Sequence, residues 1–267
     1  MSASPVVEKI SLYPIKSLDP ALVPTARILS SGALEHDREF ALIDEQGKLI
    51  NGKRDARIHK IRAGYYLPDL LVTLWSAEAT GSYTFHLIDQ QRAIEDWLGD
   101  FLGCRVSLQR NTETGFPDDL DSPGPTIVST ATLREVGSWF GIADASQMSR
   151  RFRVNIEIAT EEPFWEDRLF GNAETPVEFR IGDVRIHGVN PCQRCAVPSR
   201  NPTTGEVQQD FQRVFSEMRE KTLPAWAERA RFSHYYRLTV NTRIPPTEAG
   251  KHLSCGDKVH AVADVSG

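Results

Sequence analysis

Two cysteines, Cys192 and Cys195, lie two residues apart in Asn190-Pro191-Cys192-Gln193-Arg194-Cys195-Ala196-Val197-Pro198-Ser199-Arg200-Asn201-Pro202-Thr203-Thr204-Gly205. A guanidinium close to a thiol favours the thiolate, the form that ligates metals and attacks electrophiles. Pro191, Pro198 and Pro202 stiffen the segment, so little ordering entropy is lost when a ligand arrives. Three chemistries compete for such a pair. A structural zinc site needs about four ligands, but there is no second Cys-x-x-Cys, and Cys104 and Cys255 stand alone. A thioredoxin-type dithiol belongs at a helix start, and Pro198 and Pro202 follow too soon for one. The third is a single reactive or metal-binding thiolate, set against the plain alternative of a buried free cysteine in an ordinary turn.

Cationic groups occur at three further places. Tyr13-Pro14-Ile15-Lys16-Ser17 puts a lysine and a serine just after a strand. His36-Asp37-Arg38-Glu39 begins the next strand, and Arg150-Arg151-Phe152-Arg153-Val154-Asn155 crowds three arginines at a strand entrance. Each taken singly reads as a solvated charge or a surface ion pair. Together, basic groups at several strand mouths suit an anionic, phosphate-bearing ligand.

The elements that must position these residues are mostly strands. Val6 to Leu12 alternates and ends at Pro14. Phe40–Ile43, a turn with Gly47, and Leu49-Ile50 read as a hairpin, and Leu70–Leu74 and Tyr83–Ile88 as strands. Ile94, Trp97, Leu98, Phe101 and Leu102 recur at helical spacing, with Gly103 as the stop. Asn111 to Pro125, rich in Asp, Gly, Pro and Thr, is the candidate boundary loop. Beyond it Thr126–Val128 and Val154–Ile158 read as strands. Thr132-x-x-Glu135 has capping-box spacing, and Val177 to Val189 is a hairpin turning at Gly182-Asp183. Phe211, Val214, Phe215 and Met218 mark a helix, and Tyr236–Val240 and Lys258–Val262 are closing strands. The expectation is a mostly β fold with a few helices (α+β), not a doubly wound sheet.

The 267 residues allow two domains, and 40% hydrophobic with 25% charged residues excludes global disorder. A net charge of −5 excludes a generally basic nucleic-acid binder. No apolar run approaches the roughly 20 residues of a membrane span. Met1 to Lys9 shows no secretory pattern, and four cysteines are too few for a disulfide scaffold, so a reducing cytoplasm is expected.

Taken together, the motifs resemble the MOSC superfamily, and within it the two-domain members that include the mitochondrial amidoxime reducing component and its bacterial relatives. The resemblance runs from Tyr13-Pro14-Ile15-Lys16-Ser17 through Asp37-Arg38 and Arg153-x-Asn155 to Cys192-Gln193-Arg194-Cys195 with Pro202-Thr203-Thr204-Gly205 downstream, ending at Gly256-Asp257. This sequence departs from the family where Val154 replaces a proline, Asn201 stands for an aspartate and Ser233 for a glycine.

The resemblance implies an N-terminal β-barrel-like domain over 1–115 and a MOSC β-barrel with helices over 116–267. It implies a molybdenum cofactor (Mo-molybdopterin) between them, with Cys195 as the one protein ligand to the metal and Cys192 not a ligand. Lys16, Ser17, Arg38, Arg153, Asn155, Arg194 and Tyr235 would hold phosphate and pterin, and Asp121 would assist protonation. A looser family-level association is with pyridoxal phosphate binding. The activity implied is reduction of small N-hydroxylated compounds, the oxygen leaving as water. Electrons would come from a ferredoxin-, flavodoxin- or cytochrome b5-like protein, because the chain shows neither a nucleotide fingerprint nor an iron–sulfur cysteine set. Nucleic acid and membrane are not expected partners. Two other readings stay open: a carrier of the cofactor or of sulfur without turnover, and a metal-free module holding some other anion.

Overall fold

Val7, Ile10 and Leu12 all point inward from the first strand, although strict alternation would set Val7 apart from the other two. A bulge resolves this. The register against its partner slips between Val7 and Lys9, so the extra residue swings Val7 onto the inner face.

A computed structural model describes residues 4–261. The first half carries β1 (Val6–Leu12), β2 (Ala21–Val23), β3 (Thr25–Arg27), β4 (Phe40–Asp44), β5 (Arg62–Tyr66), β6 (Leu71–Trp75), β7 (Ser82–His86), helix α1 (Gln91–Leu102) and β8 (Val106–Arg110). The second half carries β9 (Ile127–Ser129), α2 (Thr130–Ser138), α3 (Ala145–Phe152), β10 (Ile156–Ala159), β11 (Val177–Ile181), β12 (Val184–Gln193), α4 (Phe211–Lys221), β13 (Arg237–Arg243), β14 (His252–Ser254) and β15 (Val259–Ala261). The fold is mostly strand with four helices, as expected.

Eight strands form one sheet in the order β15-β11-β12-β13-β9-β10-β1-β2. It curls until Val6 meets Lys258 in a single bridge, but no continuous ladder closes it into a barrel among the described residues. Its one parallel pair is β9 with β10, and the crossover between them carries α2 and α3. That crossover delivers Arg153 and Asn155 to the head of β10. Strands β5-β6-β7 make a separate antiparallel sheet, and β4 pairs with β8.

Packing does not follow chain order. One core gathers Leu12, Ile28 and Leu34 with Ile156, Phe179 and Val240 of the large sheet. A second joins Leu42, Val72, Leu98 and Leu108. A third lies among the helices, around Val136, Met148, Phe152, Phe211 and Phe215. The aromatic stripe on α4 is core at Phe211 and Phe215, while Met218 is only half-buried.

Three local expectations change. The turn at Gly47 forms, with Asp44 Oδ1 accepting from the Gln46 and Lys48 amides. However, Leu49 meets Ile43 only at an isolated bridge, and the ladder partner of β4 is β8. The cap of α2 is Ser129, whose hydroxyl accepts from the Thr132 amide at 3.1 Å. Glu135 does not reach back to an N-terminus; it accepts from the Trp139 indole at 3.0 Å. Finally, Asn190–Gln193 is not loop but the end of β12, so Cys192 is a strand residue. No helix among the described residues is long and apolar enough to cross a membrane.

Candidate functional site

Tyr13 organises the cationic end of the site. Its ring is fully buried, with the Arg153 guanidinium 4.2 Å from the ring centroid and that of Arg38 at 5.4 Å. Its amide donates to Asp37 Oδ1 at 2.9 Å and its hydroxyl to the Val154 carbonyl at 3.2 Å. An aromatic face that attracts cations can hold two guanidinium groups near each other that would otherwise repel. Burial drives the phenol pKa far above its ordinary value, so it stays protonated. The sequence reading named the motif around Tyr13 but gave the ring no part.

Ser17, Arg38 and Arg153 all sit in left-handed backbone, at φ 79°, 53° and 51°. Such conformations cost on the order of 1–3 kcal/mol each and persist where surrounding structure enforces them. For Arg153 the reason is visible: it caps the C-terminus of α3 just before β10. Its Nη1 donates to the Leu18 carbonyl at 2.9 Å, and its buried Nη2 has no partner. Arg38 pairs with Asp37 and lies 3.4 Å from Asn155 Oδ1. Asn155 is 1% exposed and nearly saturated. Its Nδ2 donates to the Ser11 carbonyl, and its Oδ1 accepts from the Thr126 amide and hydroxyl. It therefore ties β1, β9 and β10 together and aims Arg38.

Lys16 is 8% exposed; its Nζ donates to the Phe116 carbonyl at 2.7 Å and pairs with Asp118 at 3.0 Å. Burial lowers the lysine pKa, and Asp118 opposes that shift. Crowding by protein would raise the Asp118 pKa, but Lys16 and Arg38 outweigh it and hold the carboxyl at about 2. Asp118 lines the lip of the cleft, so protein surrounds it while 75% of its side chain remains open to solvent. The loop that carries it is pinned beside Arg38. The Phe116 amide donates to the Arg38 carbonyl, and Gly115, at φ 63°, packs so closely that a Cβ would lie 2.5 Å from the Asp37 carbonyl.

Lys16, Ser17, Arg38, Asp118, Arg153 and Asn155 line a cleft of about 690 Å³, and both motif cysteines line it too. Cys192 and Cys195 are each half-buried and free. Arg194 was expected to favour the Cys195 thiolate, but its Nη1 lies 3.1 Å from Cys192 Sγ. Its Nη2 donates to the Phe152 carbonyl, and its buried Nε has no partner. Arg237, opposite Gln193 on β13, lines the same cleft. Cys192 thus lines the cleft together with Cys195. Among the described residues no three His, Cys, Asp or Glu side chains converge on one point.

Of the expected site residues, Lys16, Ser17, Arg38, Arg153, Asn155, Arg194 and Cys195 line this one cleft. Asp121 and Tyr235 do not. Asp121 is exposed and engages through its backbone, its carbonyl accepting from Arg243 Nε; Asp118 and Asp119 line the cleft instead. Tyr235 stacks on Phe232, with ring centroids 5.9 Å apart, against the core of the large sheet. Its neighbour Tyr236 points the other way, toward Arg151, Arg194 and Cys195, and burial holds its phenol protonated.

Residues 4–105 match the MOSC N-terminal beta barrel domain, and residues 126–260 match the MOSC domain. The chain belongs to the MOSC family. Its MOSC domain supplies the cysteines and Arg153, and its N-terminal domain Lys16 and Arg38. Among similar proteins is a molybdenum cofactor sulfurase of Drosophila grimshawi, 26% identical over 96% of this chain and 34% of that protein. Another, of Drosophila melanogaster, is 25% identical over the same shares. The human molybdenum cofactor sulfurase is 24% identical over 80% of this chain and 29% of its own length. This MOSC chain therefore spans about a third of the curated relatives it matches.

Proposed function

We propose that the cleft holds the molybdenum cofactor and that the chain uses it to reduce small N-hydroxylated compounds, with electrons from a separate ferredoxin-, flavodoxin- or cytochrome b5-like protein. One observation carries the reading: Arg153 Nη2 is buried without a partner beside Lys16 and Arg38, in a cleft that two thiols also line. An orphaned guanidinium N–H calls for an acceptor, and a phosphate oxygen is the acceptor that several cations favour. A soft thiolate suits molybdenum. The residues present thus fit both ends of a phosphate-bearing, metal-carrying group.

In this reading Lys16, Arg38 and Arg153 bind the phosphate and pterin. Ser17 offers a hydroxyl, Asn155 fixes Arg38, and Cys195 ligates the metal. The bound cofactor supplies the two-electron chemistry that removes oxygen from an N–OH group. The Asn111–Pro125 loop, pinned at Gly115, brings Asp118 to Lys16. Asp118 is ionised at neutral pH and so positions Lys16 instead of giving up a proton. With Asp121 outside the cleft, the proton comes from water at the cleft mouth. The sequence division at residue 115 is part of the same proposal, with the Asn111–Pro125 loop as the hinge segment between the two modules.

A second reading, a carrier that holds cofactor or sulfur without turnover, is favoured by the relatives named molybdenum cofactor sulfurase. The deciding experiment uses protein made in a host that supplies the cofactor. Molybdenum is quantified, and an N-hydroxylated benzamidine is then offered with a chemical reductant. Turnover supports the reductase. Stoichiometric molybdenum without turnover supports the carrier, and protein without molybdenum defeats both.

A further inference from the structure

Beside the cleft, and sharing Ser17, Arg151 and Arg153 with it, a narrow crevice opens between α3 and the Val197–Pro202 turn. Five guanidinium groups line it: Arg62, Arg150, Arg151, Arg153 and Arg200. A single carboxylate, Asp19, lines it too, and is already paired with Arg62 at 3.2 Å. The remaining fixed partners of these arginines are neutral. Arg151 Nη1 donates to the Pro198 and Arg200 carbonyls, Arg200 Nη1 to the Gly205 carbonyl, and Arg62 Nη2 to the Pro202 carbonyl. Carbonyls orient guanidinium groups without cancelling their charge. Two buried donors are left without a partner: Nε of Arg151, a residue only 5% exposed, and Nη2 of Arg153.

The protein's own architecture explains part of this. Arg150 and Arg151 sit in the last turn of α3, where cations complement the helix dipole. That accounts for about half a unit of charge, against four positive charges left after Asp19 is counted. The field is felt locally: burial first, then Arg153, Arg200 and Arg62, lower the His59 pKa to about 4.

We infer that this crevice is a second anion site that takes a phosphate group. The phosphate is either the outer one of a diphosphate ligand lying in the main cleft or free phosphate. The free space, about 20 Å³, is that of one small group such as a phosphate oxygen. The ligand's bulk therefore stays at the mouth or in the adjoining cleft. The charge imbalance stands without the cofactor; only the diphosphate arm rests on the cofactor reading.

The test titrates inorganic phosphate and inorganic pyrophosphate separately into the full chain and into Arg150→Gln and Arg200→Gln, by calorimetry. Arg150→Gln leaves the carbonyl contacts of the other four arginines in place, and Arg150→Lys, which keeps the charge, should restore binding. If the diphosphate arm holds, pyrophosphate binds the parent at least about tenfold more tightly than phosphate, and each Gln variant loses about tenfold, one charge-assisted contact. If free phosphate is the ligand, each Gln variant takes one equivalent fewer than the parent. Either result supports the site. No binding of either probe to the parent overturns it, as do affinities and stoichiometries unchanged in both Gln variants. Molybdenum content, measured on the same samples, reports on the cofactor reading independently.

Discussion

Replacing Asp118 with asparagine should make the cleft a better anion receptor. In the ligand-free protein this carboxylate acts as the internal counter-ion of Lys16, 3.0 Å from its Nζ. An incoming phosphate must displace it. Because 75% of the Asp118 side chain is open to solvent, a water-like dielectric applies, and one ion pair at that distance is worth about 1.4 kcal/mol. That is about tenfold in affinity. Calorimetric titration of inorganic phosphate into Asp118→Asn and parent should show the variant binding about tenfold more tightly at low salt, with the gap narrowing as salt is added. Equal or weaker binding in the variant would refute the displacement argument. Acid unfolding gives a second check. The folded Asp118 pKa of about 2 lies below its ordinary 3.8. Its contribution to stability is therefore present above about pH 4 and lost as pH falls through about 2. Parent and variant curves should separate above pH 4 and converge in strong acid.

Three further outcomes can be measured. Cys195→Ala should lose molybdenum and activity while keeping its fold, whereas Cys192→Ala should keep molybdenum; equal loss in both would point to a shared dithiol or zinc and overturn the ligand assignment. Gly188→Ala should lower stability by about 3 kcal/mol or more, beyond ordinary overpacking, because its Cβ would fall 1.6 Å from the Leu169 carbonyl oxygen; an unchanged Tm contradicts that contact. Burial and the neighbouring Asp167 raise the Glu166 pKa from 4.5 to about 7, so the unfolded chain releases this proton first and stability should fall as pH rises from about 4.5 to 7; urea unfolding of Glu166→Gln should lack that fall.

What the sequence made legible follows from how locally each element is determined. The hairpin at Gly182-Asp183 and helix α1 with its Gly103 stop are written in short-range periodicity, and both form. Helix α3 was invisible because its buried face carries Ser149 and Arg151 beside Met148 and Phe152, leaving no apolar period to read. Strand β8, Val-Ser-Leu-Gln-Arg, was missed because Val106 and Leu108 are its only apolar residues, too few to read as a period, and that omission gave β4 a false partner. At the site, the residues fixed to strand ends were legible: Lys16, Arg38, Arg153 and Cys195 reach one cleft from four distant points. The misses were matters of one or a few residues. Adjacent tyrosines face opposite sides, so choosing Tyr235 over Tyr236 reverses the direction. In an aperiodic loop nothing local separates Asp121 from Asp118. The arginine contact with Cys192 instead of Cys195 falls where the β12–β13 register slips, β13 carrying one extra residue between Arg237 and Val240, which no spacing rule reveals.

The pairing of β1 with β10 has a consequence for how this chain is made. On the side away from β2, Val6 to Ile10 pairs with Ile156 to Ala159. At a synthesis rate of about 5–20 residues per second, the first strand waits on the order of 10–30 seconds on the ribosome before that neighbour exists. During that time the only partner within reach is the three-residue β2, Val7 has no strand beside it, and the Tyr13–Ser17 motif cannot be set against Arg153. A newborn chain is therefore exposed to mispairing at its very first element. Late assembly of this kind, with loop closure over some 150 residues, favours slow folding. The cationic pocket cannot form before β10 exists, so a ligand present during synthesis would meet a receptor only once about three fifths of the chain had been made.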